Sequence, residues 1–175
     1  SCFVADVDVL RLIIDKLSDG DGAQPDVCKS RTDGTAAVHI AAEHGRADVL
    51  RLLLQADAKT HLIGMKRTGG ATALFAACEH GQEQAVHALL AAKADVNVHA
   101  TEEYKGAGKT PLQCAALSAN AAIVRVLLDA KAQPNAARVD GMTSLMLACR
   151  AGHESVVVEL VRKGADINLR RNDGG

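Results

Sequence analysis

Aromatic side chains are almost missing from this chain. Its 175 residues include no tryptophan, one tyrosine (Tyr104) and two phenylalanines (Phe3 and Phe75). A core without large rings must be filled with alanine, leucine and valine, and small side chains let helices approach to the ~8–10 Å of a packed pair. An excess of one charge sign is also lacking. Twenty Lys/Arg oppose 21 Asp/Glu, a net charge of −1. That balance leaves no electrostatic footprint for nucleic acid or for an anionic membrane. No apolar run reaches the ~18 residues that a membrane helix needs, so no membrane insertion is expected. Neither a signal peptide nor an N-x-Ser/Thr glycosylation site is visible.

Cysteine is present but does not form a disulfide framework. The five cysteines, Cys2, Cys28, Cys78, Cys114 and Cys149, are odd in number and irregular in spacing. Reduced, buried cysteines acting as small hydrophobes fit this pattern, and they place the chain in a reducing compartment. The cytoplasm is the expected location, with the nucleus as the alternative.

What the sequence does have is a repeat. A short element of glycine, any residue, Thr or Ala, a small residue or proline, then Leu or Val occurs four times. The copies start at Gly34, Gly70, Gly108 and Gly141, which are 36, 38 and 33 residues apart. A further glycine, Gly174, follows 33 residues after Gly141. Periods of 30-odd residues indicate a stack of small units, each touching only its neighbours.

The clearest copy runs from Asp140 to Asn168. Asp140-Gly141 is a turn signal, and Thr143 can cap a helix with its hydroxyl. Leu145, Leu147, Ala148 and Ala151 give a short helix one apolar face, and Gly152 breaks it. Glu154–Lys163 is a second helix, with Val156, Val157, Leu160 and Val161 at helical spacing, and Gly164 ends it. The same reading predicts helix pairs at 36–44 and 48–56, 72–80 and 83–92, and 110–118 and 121–130. Neither helix of a unit can bury its apolar face alone, so the units must stack. Asp8-Val9-Leu10-Arg11-Leu12 repeats as Asp48-Val49-Leu50-Arg51-Leu52, which suggests half a unit at the start. Asn172-Asp173-Gly174-Gly175 reads as the opening turn of one more unit, so the chain is expected to be part of something longer.

These residues resemble the ankyrin repeat. The resemblance is carried by Asp33-Gly34, Val38-His39, Ala41-Ala42-Glu43-His44-Gly45, Ala77-Cys78-Glu79-His80-Gly81, Ala94-Asp95-Val96-Asn97, Thr110-Pro111-Leu112, Gly152-His153 and Gly164-Ala165-Asp166-Ile167-Asn168. It is strong over 33–175 and weak over 5–32. It implies an all-α ankyrin-repeat solenoid of stacked helix-turn-helix units with hairpin-like fingers. One domain, 1–175, would contain a partial repeat (1–32), four full repeats (33–68, 69–106, 107–139 and 140–172) and the start of another (173–175). Departures from the family pattern are specific. His39 keeps the family histidine, which Phe75, Gln113 and Met146 replace. Ala36 lacks the capping hydroxyl. Asp57, Lys93 and Lys131 stand where the second helix ends in glycine, and Ala119 replaces the glycine between the helices. The middle units are therefore expected to be less stable than a consensus stack.

Two connections exceed a 33-residue period, 59–69 by three residues and 99–107 by five. They are expected to project as longer fingers, carrying Met65, Lys66 and Arg67 in one and Glu102, Glu103 and Tyr104 in the other. The alternatives are neutral drift in a tolerant loop and a contact extension, which the lone tyrosine favours.

Tempting chemical motifs are better explained by the repeat. Gly106-Ala107-Gly108-Lys109-Thr110 ends like a phosphate-binding loop, but Glu103 stands where its first glycine belongs. Cys78-x-His80 and Cys149-x3-His153 do not converge as four zinc ligands must. Asp19-Gly20-Asp21-Gly22 lacks the remaining acids of a calcium loop. Cysteine, histidine and aspartate sit at positions that packing and turns explain, so neither an enzyme nor a cofactor is expected. Asn97, Asn135 and Asn168 occupy an asparagine that is hydroxylated in some family members, and a hydrogen-bonding role within the turn is the alternative.

The resemblance implies a protein-interaction module, monomeric, that binds a protein or peptide partner through a concave face of finger tips and first helices. The residues implied are Asp33, Thr35, Glu43, His44, Lys66, Arg67, Ala71, Glu79, His80, Tyr104, Lys109, Leu117, Ser118, Asp140, Met142 and Arg150. Stacking should align Glu43, Glu79, Leu117 and Arg150 in one row and His44, His80, Ser118 and Ala151 in the next. The finger segments hold 10 Lys/Arg against 6 Asp/Glu, a basic edge that could steer an acidic partner. The alternative reading is a regulatory or substrate-docking region of a larger enzyme or channel.

Overall fold

A computed structural model describes residues 30–56, 61–101 and 108–171. Nine α-helices lie among them, and eight form four antiparallel pairs. These are α1 (Ala37–Glu43) with α2 (Ala47–Ala56), α4 (Ala73–Glu79) with α5 (Glu83–Ala91), α6 (Pro111–Leu117) with α7 (Ala121–Asp129), and α8 (Ser144–Ala151) with α9 (Glu154–Arg162). First helices pack on first helices along the stack, α1 on α4 on α6 on α8, and second helices follow in the same order. Observed ends fall within a residue or so of the predicted ones. The N-terminal half unit to residue 29, Asp57, Tyr104 with its finger tip, Cys2, Cys28 and the closing turn at 172–175 lie outside the described residues.

Helix starts are set by side chains. The Oγ1 atoms of Thr72, Thr110 and Thr143 accept from the backbone N–H groups of Phe75 (3.3 Å), Gln113 (3.2 Å) and Met146 (3.3 Å). Each bond satisfies one donor that the first turn leaves orphaned. Helix ends need left-handed residues. Glycine supplies them at Gly45, Gly81, Gly152 and Gly164, but Lys93 (φ 66°), Ala119 (φ 58°) and Lys131 (φ 70°) adopt the same conformation. These non-glycine residues occupy the left-handed region at a cost of about 1–2 kcal/mol each.

The core is aliphatic, as the scarcity of aromatics requires. Leu50 and Leu53 of α2, Val86 and Leu89 of α5, Ile123 and Leu127 of α7, and Val156 and Leu160 of α9 are buried between the two layers. Phe75 is the single aromatic residue in the described core. Cys78 and Cys114 are buried small hydrophobes, and burial pushes the Cys114 thiol up to about 12. Cys149 departs from expectation and is exposed. It occupies the repeat position of Ala42, Cys78 and Ala116, each fully covered by the following unit; no described unit follows α8 and α9.

The connection after α2 also differs from expectation. Residues read as extra finger length form a helical turn, α3 (His61–Gly64), whose Leu62 is fully buried. The insertion is thus anchored into the stack by a leucine.

Candidate functional site

Fingers and first helices build one continuous face. Each finger is a tight turn: the Gly34, Gly70 and Gly141 N–H groups donate to the carbonyls of Arg31, Arg67 and Arg138 at 2.9 Å. Left-handed φ values of 75°, 77° and 79° explain why glycine recurs there. Asp33 and Asp140 brace these turns by accepting from the N–H groups of Thr35 (2.9 Å) and Met142 (3.1 Å). The Thr35 bonds hold the Asp33 carboxyl below its ordinary range. Adjacent fingers are bonded edge to edge. Thr68 N donates to the Asp33 carbonyl at 2.8 Å, and Thr101 N donates to the Gly69 carbonyl at 2.7 Å.

Glu43 of the first-helix row makes two contacts beyond its own helix. Glu43 Oε2 accepts from Arg67 Nη2 at 2.9 Å, and its Oε1 lies 3.7 Å from His80 Nε2 in the next unit. One carboxylate therefore links unit one, the finger after it and unit two. Arg67 does not project as a finger-tip contact; its side chain is only 14% exposed, and it serves the stack. Lys66 beside it is exposed. His44 and His80 are exposed, and their Nδ1 atoms bond back to the Ile40 and Ala76 carbonyls at 2.9 and 3.0 Å.

Units two and three enclose a small pocket on this face. It has a volume of about 160 Å³ and is lined by Glu79, Lys109, Cys114, Leu117 and Ser118. Four of those five are residues singled out from the sequence. The Ser118 hydroxyl donates to the Cys78 carbonyl at 3.3 Å and to the Ala115 carbonyl at 3.1 Å, which fixes one wall. In unit four Arg150 is exposed, and its Nη1 rests 3.5 Å from Met142 Sδ.

Two expected contact residues are withdrawn from the surface. Ala71 is 1% and Met142 3% exposed. They share a repeat position with Thr35 and Lys109, and that position sits between finger and helix. The polar side chains there, Thr35 and Lys109, stay half-exposed, whereas the apolar ones pack inward. Tyr104 lies outside the described residues. Two members of the asparagine row tie units together. Asn97 Oδ1 accepts from Gln133 N at 3.0 Å, and Asn135 Oδ1 accepts from Asp166 N at 2.8 Å, each reaching the following unit.

Sequence reasoning missed a second row that ties the units. Gln82 Nε2 donates to the Glu43 carbonyl (3.1 Å), Asn120 Nδ2 to the Gly81 carbonyl (3.5 Å), and His153 Nε2 meets the Leu117 carbonyl (3.1 Å). Each follows the break between its unit's two helices, so their common position could have marked them. Among the described residues there is no group of three metal-ligating side chains and no helix long and apolar enough to cross a membrane.

Paired helices in register, bonded fingers and inter-unit side-chain rows define a helical repeat protein. The family description "Ankyrin repeats (3 copies)" matches residues 3–100 and 98–171, and the chain belongs to the ankyrin repeat family. Curated proteins similar to it include a neurogenic locus notch homolog protein 1 of Xenopus laevis, 35% identical over 150 residues, covering 85% of this chain and 4% of the relative. The Xenopus tropicalis counterpart matches to the same extent. An ankyrin repeat and SAM domain-containing protein 6 of Rattus norvegicus is 37% identical over 70 residues, covering 39% of this chain and 8% of the relative. The chain thus spans less than a tenth of the length of these relatives.

Proposed function

We propose that this chain is a non-catalytic module that binds a protein partner along the face built from its fingers and first helices. Ankyrin repeats are generally protein-interaction modules, and a stacked fold presents its surface rather than a closed cavity to partners. The observation that carries the placement is the pocket where Glu79, Lys109, Leu117 and Ser118 converge between units two and three. It is concave, has polar groups around an apolar floor and lies midway along the face, as a specificity pocket for one partner side chain would. We place the module in the cytoplasm or nucleus, on the free cysteines of its core.

A second reading keeps the same surface but makes the chain the docking or regulatory region of a larger enzyme or channel. It rests on size alone, since the relatives named above are more than tenfold longer than their matched segments.

The test is a pull-down comparing the chain with a quadruple variant, His44→Ala, His80→Ala, Tyr104→Ala and Arg150→Ala, both checked by circular dichroism. Partners captured by the first and lost with the second support the face. An identical set from both would exclude it.

A further inference from the structure

The four units are not equivalent on the inner face, and the difference lies in one missing carboxylate. In units one and two, Glu43 fills the space between its own first helix and the following finger, and binds Arg67 at 2.9 Å. The same two positions in units three and four are Leu117 and Arg138. A leucine cannot accept a hydrogen bond, so Arg138 turns to Asp140 on its own finger, at 3.2 Å. Arg138 is 14% exposed, as Arg67 is. Its Nε is buried without a hydrogen-bond partner, as that of Arg67 is.

A second cation stands one unit further along the same row. Arg150 occupies the repeat position of Glu43 and Leu117, is exposed, and lies against a methionine sulfur. It has no acid within ion-pair distance among the described residues. Lys109 lines the pocket on the other side of Leu117 and shares it with Glu79. Leu117 thus stands between Glu79 and Arg150 in the first-helix row and shares a pocket with Lys109.

We infer that this place receives an acidic side chain from the partner, whose carboxylate sits over Leu117 between Arg138 and Arg150, where Glu43 sits within unit one. The partner is a protein segment with an Asp or Glu at the point of contact, and its neighbouring small residue enters the pocket of about 160 Å³ beside Ser118. The inference rests on the reading of this face as the binding surface and adds the chemistry of what it binds. Unit one supplies its carboxylate from its own chain; unit three leaves it to the partner.

The test is selection of short random peptides displayed on phage against the folded chain, with affinities then measured on Leu117→Glu and on Arg150→Gln. Leu117→Glu restores the internal carboxylate and should close the site. Arg150→Gln removes a surface charge and keeps the fold even if the other variant fails. The expected result is enrichment of Asp and Glu. Affinity should fall about fivefold in each variant, the worth of roughly one charge pair, and weaken as salt is raised. Peptides without acid enrichment that bind both variants normally but are lost on His44→Ala with His80→Ala would overturn the inference and leave the face as the binding surface. Peptides indifferent to all these substitutions, or no enrichment, would overturn both.

Discussion

His39 and Gln113 hold the same place in units one and three and make the same pair of bonds. Nδ1 of His39 accepts from Ala36 N at 3.2 Å, and its Nε2 reaches the Met65 carbonyl at 3.0 Å. Oε1 of Gln113 accepts from Thr110 N at 3.1 Å, and its Nε2 donates to the carbonyls of Ala136 at 2.9 Å and Met142 at 3.2 Å. Both side chains are fully buried. Each ties a helix start to the chain that enters the following unit.

The equivalence predicts a pH effect with a definite sign. Burial lowers the His39 pKa from its ordinary 6.5, and a proton on Nδ1 would confront the Ala36 N–H. The unfolded chain therefore takes up a proton below pH 6.5 before the folded one does. Unfolding free energy should be level above that value and fall as pH drops from it towards the folded pKa. His39→Gln should keep both bonds and flatten this slope. Urea midpoints at neutral and mildly acidic pH would measure it, and equal slopes in the two proteins would refute the assignment.

Ser144 occupies the first helical position that Pro111 fills in α6. Its hydroxyl is buried without a partner. Thr143 before it has φ −91° and ψ 169°, a conformation compatible with a following proline. Ser144→Pro should therefore stabilise the chain by about 1 kcal/mol, through a stiffer unfolded chain and the loss of an unsatisfied hydroxyl. A melting temperature about 2–4 °C higher is the expected readout; a lower one would mean that the ring does not fit.

Lys93 and Lys131 are left-handed where unit four has Gly164, at φ 88°. Replacing either lysine by glycine should relieve about 1–2 kcal/mol of strain, less the ~0.4–1 kcal/mol that glycine adds to unfolded-chain entropy. The reverse change, Gly164→Lys, should destabilise by a similar net amount. Denaturant titration of the three variants checks the pattern, and a stabilising Gly164→Lys would contradict it.

Asn97 and Asn135 bond to the unit after them, and Asn168 has no described unit after it. Asn97→Ala and Asn135→Ala should each cost about 0.5–1.5 kcal/mol, the net worth of a hydrogen bond. Asn168→Ala should cost much less in this chain. Equal losses at all three positions in thermal unfolding would show that the bond within the turn, not the one across units, matters.

Much of the stack was legible because its signals are local and repeated. The glycine spacing, the threonine caps and the apolar periodicity each act within a few residues, so helix ends were placed closely. Leu62 escaped notice because repeat arithmetic treats inserted residues as finger length, and one leucine in a polar stretch shows no periodicity. Repeat position alone assigns Ala71 and Met142 to the surface, whereas their apolar character matches their burial. The Glu43–Arg67 pair spans 24 residues, and its geometry depends on how a finger folds back, which no sequence pattern encodes. Cys149 follows the repeat pattern faithfully, but burial at its position comes from a neighbouring unit, and no described unit packs on the far side of α8 and α9.

The finger-to-finger bonds and the asparagine row give the stack a mechanical character. Each unit is fastened only to the next, so a pull applied to the ends is carried in series, like load through the links of a chain. Every interface then bears the same force and the weakest parts first. The joints differ in their fastenings: Glu43 bridges the first through Arg67 and His80, whereas Ser118, Asn120 and Asn97 bond across the second. The second joint contains the pocket, so a pull that opened it would take the pocket apart.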